Sequence, residues 1–301
     1  MQAFGAFGGS IALPGGYQHP VVVASTDGVG TKLHLAIRWG RAADAGRDLV
    51  NHCLNDVAVQ NARPFAFLDY IASGRLEVEV VQALVDGMAA ACRDAGVALL
   101  GGETAQMPET YLSGAYDAAG TVIGVGERAR LADPARVRAG DVCVGLPSTG
   151  LHTNGYSLAR RVAERLPPAT RVAGETLVDA LLAPHPSYLP ELARAFELPG
   201  VRAAAHITGG GLNGNVPRVL PSGLSARLRK GVWAVPAIFD LIQEELAISE
   251  QEMYAVFNMG VGVVIVADRA AADRALAEIE GAFEAGEIAE RTNDAVELVD
   301  G

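Results

Sequence analysis

The alternation of apolar and polar stretches along the chain predicts strands and helices in turn. Short apolar runs rich in β-branched residues, each ending near Gly, Asp or Pro, predict strands, and stretches with apolar residues at helical spacing predict helices. The predicted strands cover residues 21–26, 65–71, 97–100, 119–126, 142–146, 203–208, 224–229 and 261–267. The predicted helices cover residues 46–61, 77–95, 176–182, 188–196 and 212–220, with one more ending near residue 166. This order is typical of a mixed α/β protein.

A polar connector divides the pattern into two halves. Asp133-Pro134 and Ala139-Gly140-Asp141 carry turn signals, and a new strand begins directly after them. The chain has 301 residues, enough for two domains of ordinary size. We therefore predict a domain at residues 1–133 and a second at residues 134–301, both mixed α/β. No short internal repeat is visible, which excludes solenoids and propellers.

Composition and charge narrow the classes of function. Half of the residues are apolar and 20% are charged, as in globular proteins, while the net charge of −11 argues against broad nucleic-acid binding. We expect no membrane span and no secretory signal, because long apolar runs and a basic start are both missing, and we expect a cytoplasmic protein. Cys53, Cys92 and Cys143 form no C-x-x-C pair and are predicted to be buried apolar side chains rather than catalytic thiols.

Three carboxylates in the first third of the chain suggest a metal site. Asp27 and Glu103 each follow a predicted strand, and Asp56 lies on the polar stripe of the helix at 46–61. Parallel strands place their ends at one edge of a sheet, where neighbouring carboxylates repel unless a cation lies between them. We therefore expect a divalent ion that carries a phosphate ligand. Taken singly, each residue is better explained by an ordinary structural role: Asp27 in a turn, Asp56 as a helix cap or surface residue, and Glu103 as a solvated side chain.

Lys32 stands out through composition, because the chain has 22 arginines and only two lysines. A compact ammonium beside a glycine-rich turn suits a phosphate, and Gly28 and Gly30 let backbone N–H groups approach one. A chance surface lysine is the alternative. The usual nucleotide-binding motifs, G-x-x-x-x-G-K-[ST] and G-x-G-x-x-G after a strand, are missing.

Two loops of the second half predict substrate contacts. His152 stands between Thr149-Gly150 and Asn154-Gly155, in a loop that opens a helix able to hold an anion. Gly209-Gly210-Gly211 follow a strand, where the backbone has to pass close to a phosphate or to a neighbouring helix. A hydrogen-bonded structural histidine is the alternative for His152.

Six segments in order resemble one enzyme family. They are STDGVGTK (25–32), NxxxND (51–56), GGETAQMP (101–108), GLHTNGYS (150–157), HITGGGLNGNVPR (206–218) and FNMGVG (257–262). Together they resemble phosphoribosylformylglycinamidine cyclo-ligase, also called aminoimidazole ribonucleotide synthetase, from near Phe4 to the C-terminus.

The resemblance implies an ATP-dependent ring closure in purine biosynthesis. ATP phosphorylates the formamide oxygen of formylglycinamidine ribonucleotide, the ring nitrogen attacks the activated carbon, and phosphate leaves to give aminoimidazole ribonucleotide. The resemblance also implies a homodimer whose N-terminal halves pair strands into a shared barrel, and a C-terminal half built as a sheet covered by helices. The cofactors it implies are ATP and Mg²⁺.

The resemblance assigns roles to residues of both halves. It implies Asp27, Asp56 and Glu103 as magnesium ligands and Lys32 and His152 as catalytic residues. The implied nucleotide contacts are Asp27, Gly28, Gly30, Thr31, Lys32, Asn51, Asn55, Asp56, Glu103 and Thr104. The implied substrate contacts are Thr149, Gly150, His152, Asn154, Gly209, Gly210 and Gly211.

One departure from the family concerns the start of the chain. Family members usually begin with a further segment, of which residues 4–9 correspond to the last part, and we expect that segment to help cover the nucleotide. Two alternatives therefore stay open: another ATP-using member of the same superfamily, or a trimmed, inactive dimer that binds nucleotide.

Overall fold

The computed structural model describes residues 7–301, which form two compact units. The first unit contains residues 7–58, 62–131 and Pro184–Ser187, and the second contains Val59–Asn61, Ala132–Ala183 and Tyr188–Gly301. The short segment Pro184–Ser187 thus packs with the first unit although it lies far along the chain. The expected start of the family match, near Phe4, lies outside the described residues.

The first unit is a four-stranded sheet with helices on one face. Its elements are β1 (Pro20–Gly28), α1 (Lys32–Arg38), α2 (Ala42–Ala58), β2 (Arg63–Ser73), α3 (Val78–Asp94), β3 (Ala98–Gln106) and β4 (Tyr116–Glu127). The strand order is β1-β4-β2-β3, with β2 and β3 parallel and the other pairs antiparallel. The strands β1, β2 and β3 therefore run in the same direction, as the sequence predicts, and their carboxyl ends lie at one edge.

Glycines allow α2 and α3 to pack closely against each other. A Cβ atom on Gly46 would lie 2.1 Å from the carbonyl oxygen of Leu84, and one on Gly87 would lie 1.9 Å from that of Ala43. Both distances are far below van der Waals contact, so neither position has room for a side chain. The close contact seats α2, with its polar stripe, in a fixed place over the sheet.

We expect Gly87→Ala to destabilise the protein although alanine is the better helix former. The propensity gain is about 1 kcal/mol, but the methyl group meets backbone that cannot move alone, and overpacking of this kind costs about 1–3 kcal/mol. Urea unfolding should therefore show a net loss of stability. Gly223→Ala is the control, because nothing lies within 4 Å of a Cβ there. Equal stability of the two variants would contradict the close packing.

The second unit is a six-stranded mixed sheet with flanking helices. Its strands are β5 (Val142–Pro147), β6 (Arg171–Val172), β7 (Glu175–Thr176), β8 (Val201–His206), β9 (Leu224–Lys230), β10 (Val261–Ala267), β11 (Phe283–Glu290) and β12 (Val296–Asp300). Its helices are α4 (Tyr156–Arg165), α5 (Leu177–Leu181), α6 (Leu189–Phe196), α7 (Gly211–Asn215), α8 (Ala237–Leu246), α9 (Glu250–Val256) and α10 (Arg269–Glu278). The main sheet has the order β12-β9-β11-β5-β10-β8, and β6 and β7 form a separate hairpin. Every residue of β10 is buried, which explains its continuous apolar sequence.

The structure shifts the ends of the predicted elements, shortens the predicted helix at 212–220 to Gly211–Asn215, and corrects one strand. GGET was predicted to follow a strand as a loop, but Glu103 and Thr104 lie inside β3, where they pair with β2. An exposed edge strand tolerates polar residues and glycine, so its sequence lacks the apolar signal of a strand. The pattern also missed α1, α8, α9, α10, β6, β7, β11 and β12.

The cysteines lie where the sequence predicts them. Cys53, Cys92 and Cys143 are all buried and form no disulfide. Burial raises the pKa of the Cys92 and Cys143 thiols to about 12, so neither is a thiolate at neutral pH. In the described part of the chain, no helix is long and apolar enough to cross a membrane.

Candidate active site

Two of the three predicted metal ligands lie together at the end of β1. Ser25 and Asp27 point to the same side of β1, because side chains alternate along a strand, and both contact α2. The Ser25 hydroxyl donates to the Asp56 carboxylate at 2.9 Å, and Asp27 Oδ2 lies 2.6 Å from His52 Nε2. The carboxylates of Asp27 and Asp56 therefore lie near each other where β1 meets α2.

The electrostatics of Asp27 support this proximity. Burial opposes the ionisation of Asp27, but the hydrogen bond and charge of His52 and the Gly28 N–H together outweigh it, so the pKa of Asp27 lies below its ordinary value. The charge of Asp56 acts the other way and raises that pKa. Asp27 is thus an anion at neutral pH with a second acidic group close by. Two half-buried carboxylates are hard oxygen donors, which fit a magnesium ion.

Glu103 does not join these two residues within one chain. Asp27, Gly120, Asp69 and Gly102 pair in one row across the sheet, and Glu103 lies in the next row, opposite Tyr70. Three strand spacings separate β1 from β3, about 14 Å in total, and neighbouring residues of a strand face opposite sides. Glu103 is therefore distant from Asp27 and faces the side of the sheet without helices. Its role as a metal ligand stays a prediction that requires a second copy of the chain.

The row also contains a carboxylate that the sequence reasoning missed. Asp69 faces the helices, and burial raises its pKa. A Cβ on Gly102 would lie 2.2 Å from Asp69 Oδ1, so this glycine leaves room for the acid. Asp69 is hidden in the sequence because it follows the apolar run Phe65–Leu68 inside β2, where an isolated acid gives no signal.

The glycine-rich turn after β1 presents its backbone, but Lys32 points inward. Gly30 is exposed with φ of 63°, and Thr31 precedes α1. Lys32 is completely buried, and its Nζ lies 2.5 Å from Asp48 Oδ2. Burial raises the pKa of Asp48, and Lys32 acts against that rise. The structure therefore places Lys32 in a buried ion pair, and a contact between its ammonium and a bound phosphate stays a prediction.

The polar stripe of α2 holds a segment from the second half of the sequence. Asn51 Nδ2 donates to the His185 carbonyl at 2.8 Å, and Asn55 Nδ2 donates to the Pro186 carbonyl at 3.0 Å. The backbone N–H of His185 donates to Asp48 Oδ1 at 2.8 Å. The amides of Asn51 and Asn55, predicted to contact nucleotide, thus bind backbone in this structure. Their nucleotide contacts stay a prediction.

His185 is a further buried residue of this region that the sequence reasoning missed. It is fully buried, and its ring lies edge-on to that of His52 with centroids 5.2 Å apart. Since His52 also contacts Asp27, the segment Pro184–Ser187 packs next to the acidic pair. No local pattern announces such a contact, because the segment follows α5 as an apparently ordinary Pro-containing loop.

In the second unit, the loop at residues 147–155 contains four predicted substrate contacts, of which some are exposed and others are buried. Thr149 is exposed and Asn154 is half-buried, whereas Gly150 and His152 are buried. His152 has a positive φ of 59°, and its Nε2 accepts the Thr149 N–H at 3.4 Å. This environment fits the structural alternative for His152, and its catalytic role stays a prediction.

The glycine-rich loop after β8 lies beside that first loop. Gly209 and Gly210 are exposed, and Gly211 is buried against the carbonyl of Tyr254, which would lie 2.3 Å from a Cβ. A Cβ on Gly209 would lie 3.0 Å from Asn154 Oδ1. The structure therefore brings the two predicted substrate loops together.

Comparisons with known proteins find one family along most of the chain. The AIR synthase related protein family matches the chain twice, its N-terminal domain at residues 14–126 and its C-terminal domain at residues 138–299. The phosphoribosylformylglycinamidine cyclo-ligase of Nitrosococcus oceani is 48% identical over 301 residues, which cover 98% of this chain and 84% of that protein. The protein of the same name from Sorangium cellulosum is 50% identical over 279 residues, which cover 90% of this chain and 80% of that protein. A crystal structure of the hydrogenase maturation protein HypE in complex with ATP shares the fold, with a TM-score of 0.71 at 19% identity over 96% of this chain and 83% of that one.

The fold and the paired loops define a two-domain protein of the AIR synthase related class. Within that class, the chain belongs to the phosphoribosylformylglycinamidine cyclo-ligase family and is an enzyme of the ligase type. The resemblance drawn from six short motifs is confirmed.

Proposed function

We propose that this chain closes the imidazole ring of aminoimidazole ribonucleotide at the expense of ATP. The proximity of Asp27 and Asp56 beside the glycine-rich turn is the observation that carries the proposal, because one or two carboxylates together with phosphate oxygens are the usual ligands of Mg²⁺ in such sites. The high identity to cyclo-ligases, compared with 19% to HypE, favours this reaction over that of a distant superfamily member.

Asp27 and Asp56 would hold the magnesium ion, and the turn at Gly30 and Thr31 would approach the ATP phosphates through its backbone, while the Gly28 N–H donates to Asp27. The ion supplies charge neutralisation to the transferring phosphoryl group. The protein's share is to keep Asp27 ionised, through His52, and to fix α2 against the sheet. Positioning and electrostatics are the main contributions that phosphoryl transfer needs.

The second unit would bind the ribonucleotide. Exposed Thr149 and Gly209–Gly210, together with half-buried Asn154, present polar groups on the two adjoining loops. In the reaction, the formamide oxygen takes the γ-phosphoryl of ATP. The ring nitrogen then attacks the activated carbon and loses a proton, and the carbon–oxygen bond breaks to release phosphate. A formamide oxygen leaves readily only after it carries the phosphoryl group.

A direct assay tests the proposal. The chain is incubated with formylglycinamidine ribonucleotide, ATP and Mg²⁺, and aminoimidazole ribonucleotide is measured beside an active cyclo-ligase. Product formation with one ADP per ring supports the proposal, and its absence while the control is active rejects it. Isothermal titration with ATP and Mg²⁺ then identifies an inactive nucleotide binder, since heat without turnover is the signature of that alternative.

We also propose that two chains pair through the face of the first sheet that carries no helix. Val22 on this face is 59% exposed, and Ile123 and Leu68 are only partly buried. An exposed apolar face of this kind is a common dimer surface.

A purine-synthesis enzyme of this type is expected in the cytoplasm.

We expect Val22→Glu to convert the dimer into a monomer, because it places a charge in an apolar interface. Sedimentation velocity gives the molar mass of each form. Val299→Glu, at an apolar side chain of the second unit that is 39% exposed, is the control and should leave the mass unchanged. A monomeric wild-type chain, or a Val22→Glu variant that stays dimeric, contradicts this interface.

A further inference from the structure

Two buried asparagines lie next to the predicted substrate loops. Asn215 at the end of α7 is 2% exposed, and Asn258, between α9 and β10, is 3% exposed. A buried amide costs free energy unless its donors and acceptors are paired. The partners of these side chains therefore show what the fold uses them for.

The buried Asn215 side chain holds the glycine-rich loop by hydrogen bonds to its backbone. Its Nδ2 lies within hydrogen-bond distance of the carbonyl oxygens of Thr208, Gly209 and Gly211, at 3.3, 3.2 and 2.8 Å. Its Oδ1 accepts from the Thr208 hydroxyl at 3.1 Å and from Arg218 at 3.4 Å. The Asn215 side chain thus contacts the backbone of three of the four residues 208–211.

The exposed side of the glycine-rich loop presents the backbone N–H groups of Gly209 and Gly210. Gly209 and Gly210 are exposed, and among the described residues neither backbone N–H donates a hydrogen bond. Gly210 has a φ of 91°, which a residue with a side chain adopts only at a cost. Exposed N–H groups of consecutive glycines bind oxygen-rich anions such as phosphate.

Asn258 fastens the neighbouring loop in the same way. Its Nδ2 donates to the Gly150 carbonyl at 2.8 Å, and its Oδ1 accepts from the Ser148 hydroxyl at 2.9 Å and from the Gly260 N–H at 3.0 Å. Asn258 belongs to the FNMGVG segment, whose function the sequence left open. Since Gly209 lies against Asn154, both fastened loops border the same surface.

We propose that Asn215 and Asn258 are positioning residues for the phosphorylated end of the substrate. Each acts through the loop backbone that it holds, and neither touches the ligand itself. This inference rests on the proposed function, since it assigns the two loops to the ribonucleotide rather than to ATP.

The test replaces each amide by an isosteric acid. In Asn215→Asp and Asn258→Asp the donor is lost, and a carboxylate faces carbonyl oxygens. We expect KM for formylglycinamidine ribonucleotide to rise at least about tenfold, because several hydrogen bonds to the loop are lost. KM for ATP should stay within about twofold, since the proposal assigns ATP to the first unit. Asn213→Asp is the matched control, because Asn213 lies on the same short helix and is exposed.

Ribose 5-phosphate, titrated by calorimetry, reports on the phosphate loops without turnover. Weaker binding by Asn215→Asp than by Asn213→Asp supports the proposal, even if the wild type lacks cyclo-ligase activity and the proposed function fails. An equal rise of both KM values, or no change in either KM or ribose 5-phosphate binding, overturns it. If the aspartate variant does not fold, as judged by its melting curve, Asn215→Ser keeps a smaller donor and provides the same measurements.

Discussion

Replacement of Asp56 by asparagine is expected to lower kcat by about 10²–10³-fold, because a metal–phosphate site loses one of its two neighbouring carboxylates and with it several kcal/mol of charge stabilisation. The Ser25 hydroxyl can still donate to the new amide oxygen, so the local hydrogen bond is retained. Removing one of two neighbouring negative charges also relieves repulsion of Asp27. The melting temperature should therefore stay the same or rise.

Asp86→Asn is the control for this variant. Asp86 is exposed on α3, and its replacement removes one negative charge, as Asp56→Asn does. The measurement is kcat at several Mg²⁺ concentrations, with thermal unfolding of the same samples. We expect Asp86→Asn to behave as the wild type in both. A variant at Asp56 that keeps full turnover but melts much earlier would show that this carboxylate supports the fold and not the reaction.

The sequence predicted the parts of the site that follow from local pattern. The run at residues 21–26 ends at Asp27, and the structure has β1 ending at Gly28. The polar stripe of the 46–61 helix exists in α2, where Asp48, Asn51, His52 and Asn55 all point to partners. A strand with a turn and an amphipathic helix are short-range features, which is why they can be read from a single chain.

The contacts that the sequence could not supply join residues far apart. Asn51 and Asn55 bind the backbone of His185 and Pro186, which are separated from them by 134 and 131 positions. A backbone carbonyl carries no residue-specific signal, so the sequence could not predict these contacts; the nucleotide contacts of both amides, implied by the family resemblance, stay a prediction. The position of Glu103 inside β3 was missed for a related reason, since an edge strand with two glycines gives no periodic pattern.

Lys32 shows that composition can single out a residue without indicating its partner. The scarcity of lysine indicated a special position, and Lys32 is indeed one of the largest fully buried side chains. Its partner, Asp48, lies one element later on α2, and composition cannot indicate whether an ammonium meets a phosphate or a carboxylate. The distinction matters, because a buried ion pair and a phosphate contact predict different effects of mutation.

Replacement of Lys32 by methionine is expected to reduce the free energy of unfolding by about 3–5 kcal/mol. The change leaves Asp48 buried without its cation, and breaking one partner of a buried pair costs this much because the remaining charge is uncompensated. Urea denaturation measures the loss, with the Lys230→Met variant as the control. Lys230 is the other lysine of the chain, and its ion pairs with Glu250 and Asp300 are exposed, so we expect a much smaller loss of stability than for Lys32→Met.

A double variant separates the structural role of Lys32 from a catalytic one. In Lys32→Met with Asp48→Asn, neither buried charge is left alone, and the asparagine oxygen still accepts the His185 N–H, so most of the lost stability should return. If Lys32 acts only through the ion pair, turnover returns together with stability. If its ammonium also reaches a bound phosphate, the double variant is stable but kcat stays low. Recovery of neither would show that the Lys32–Asp48 contact is not what makes Lys32→Met unstable.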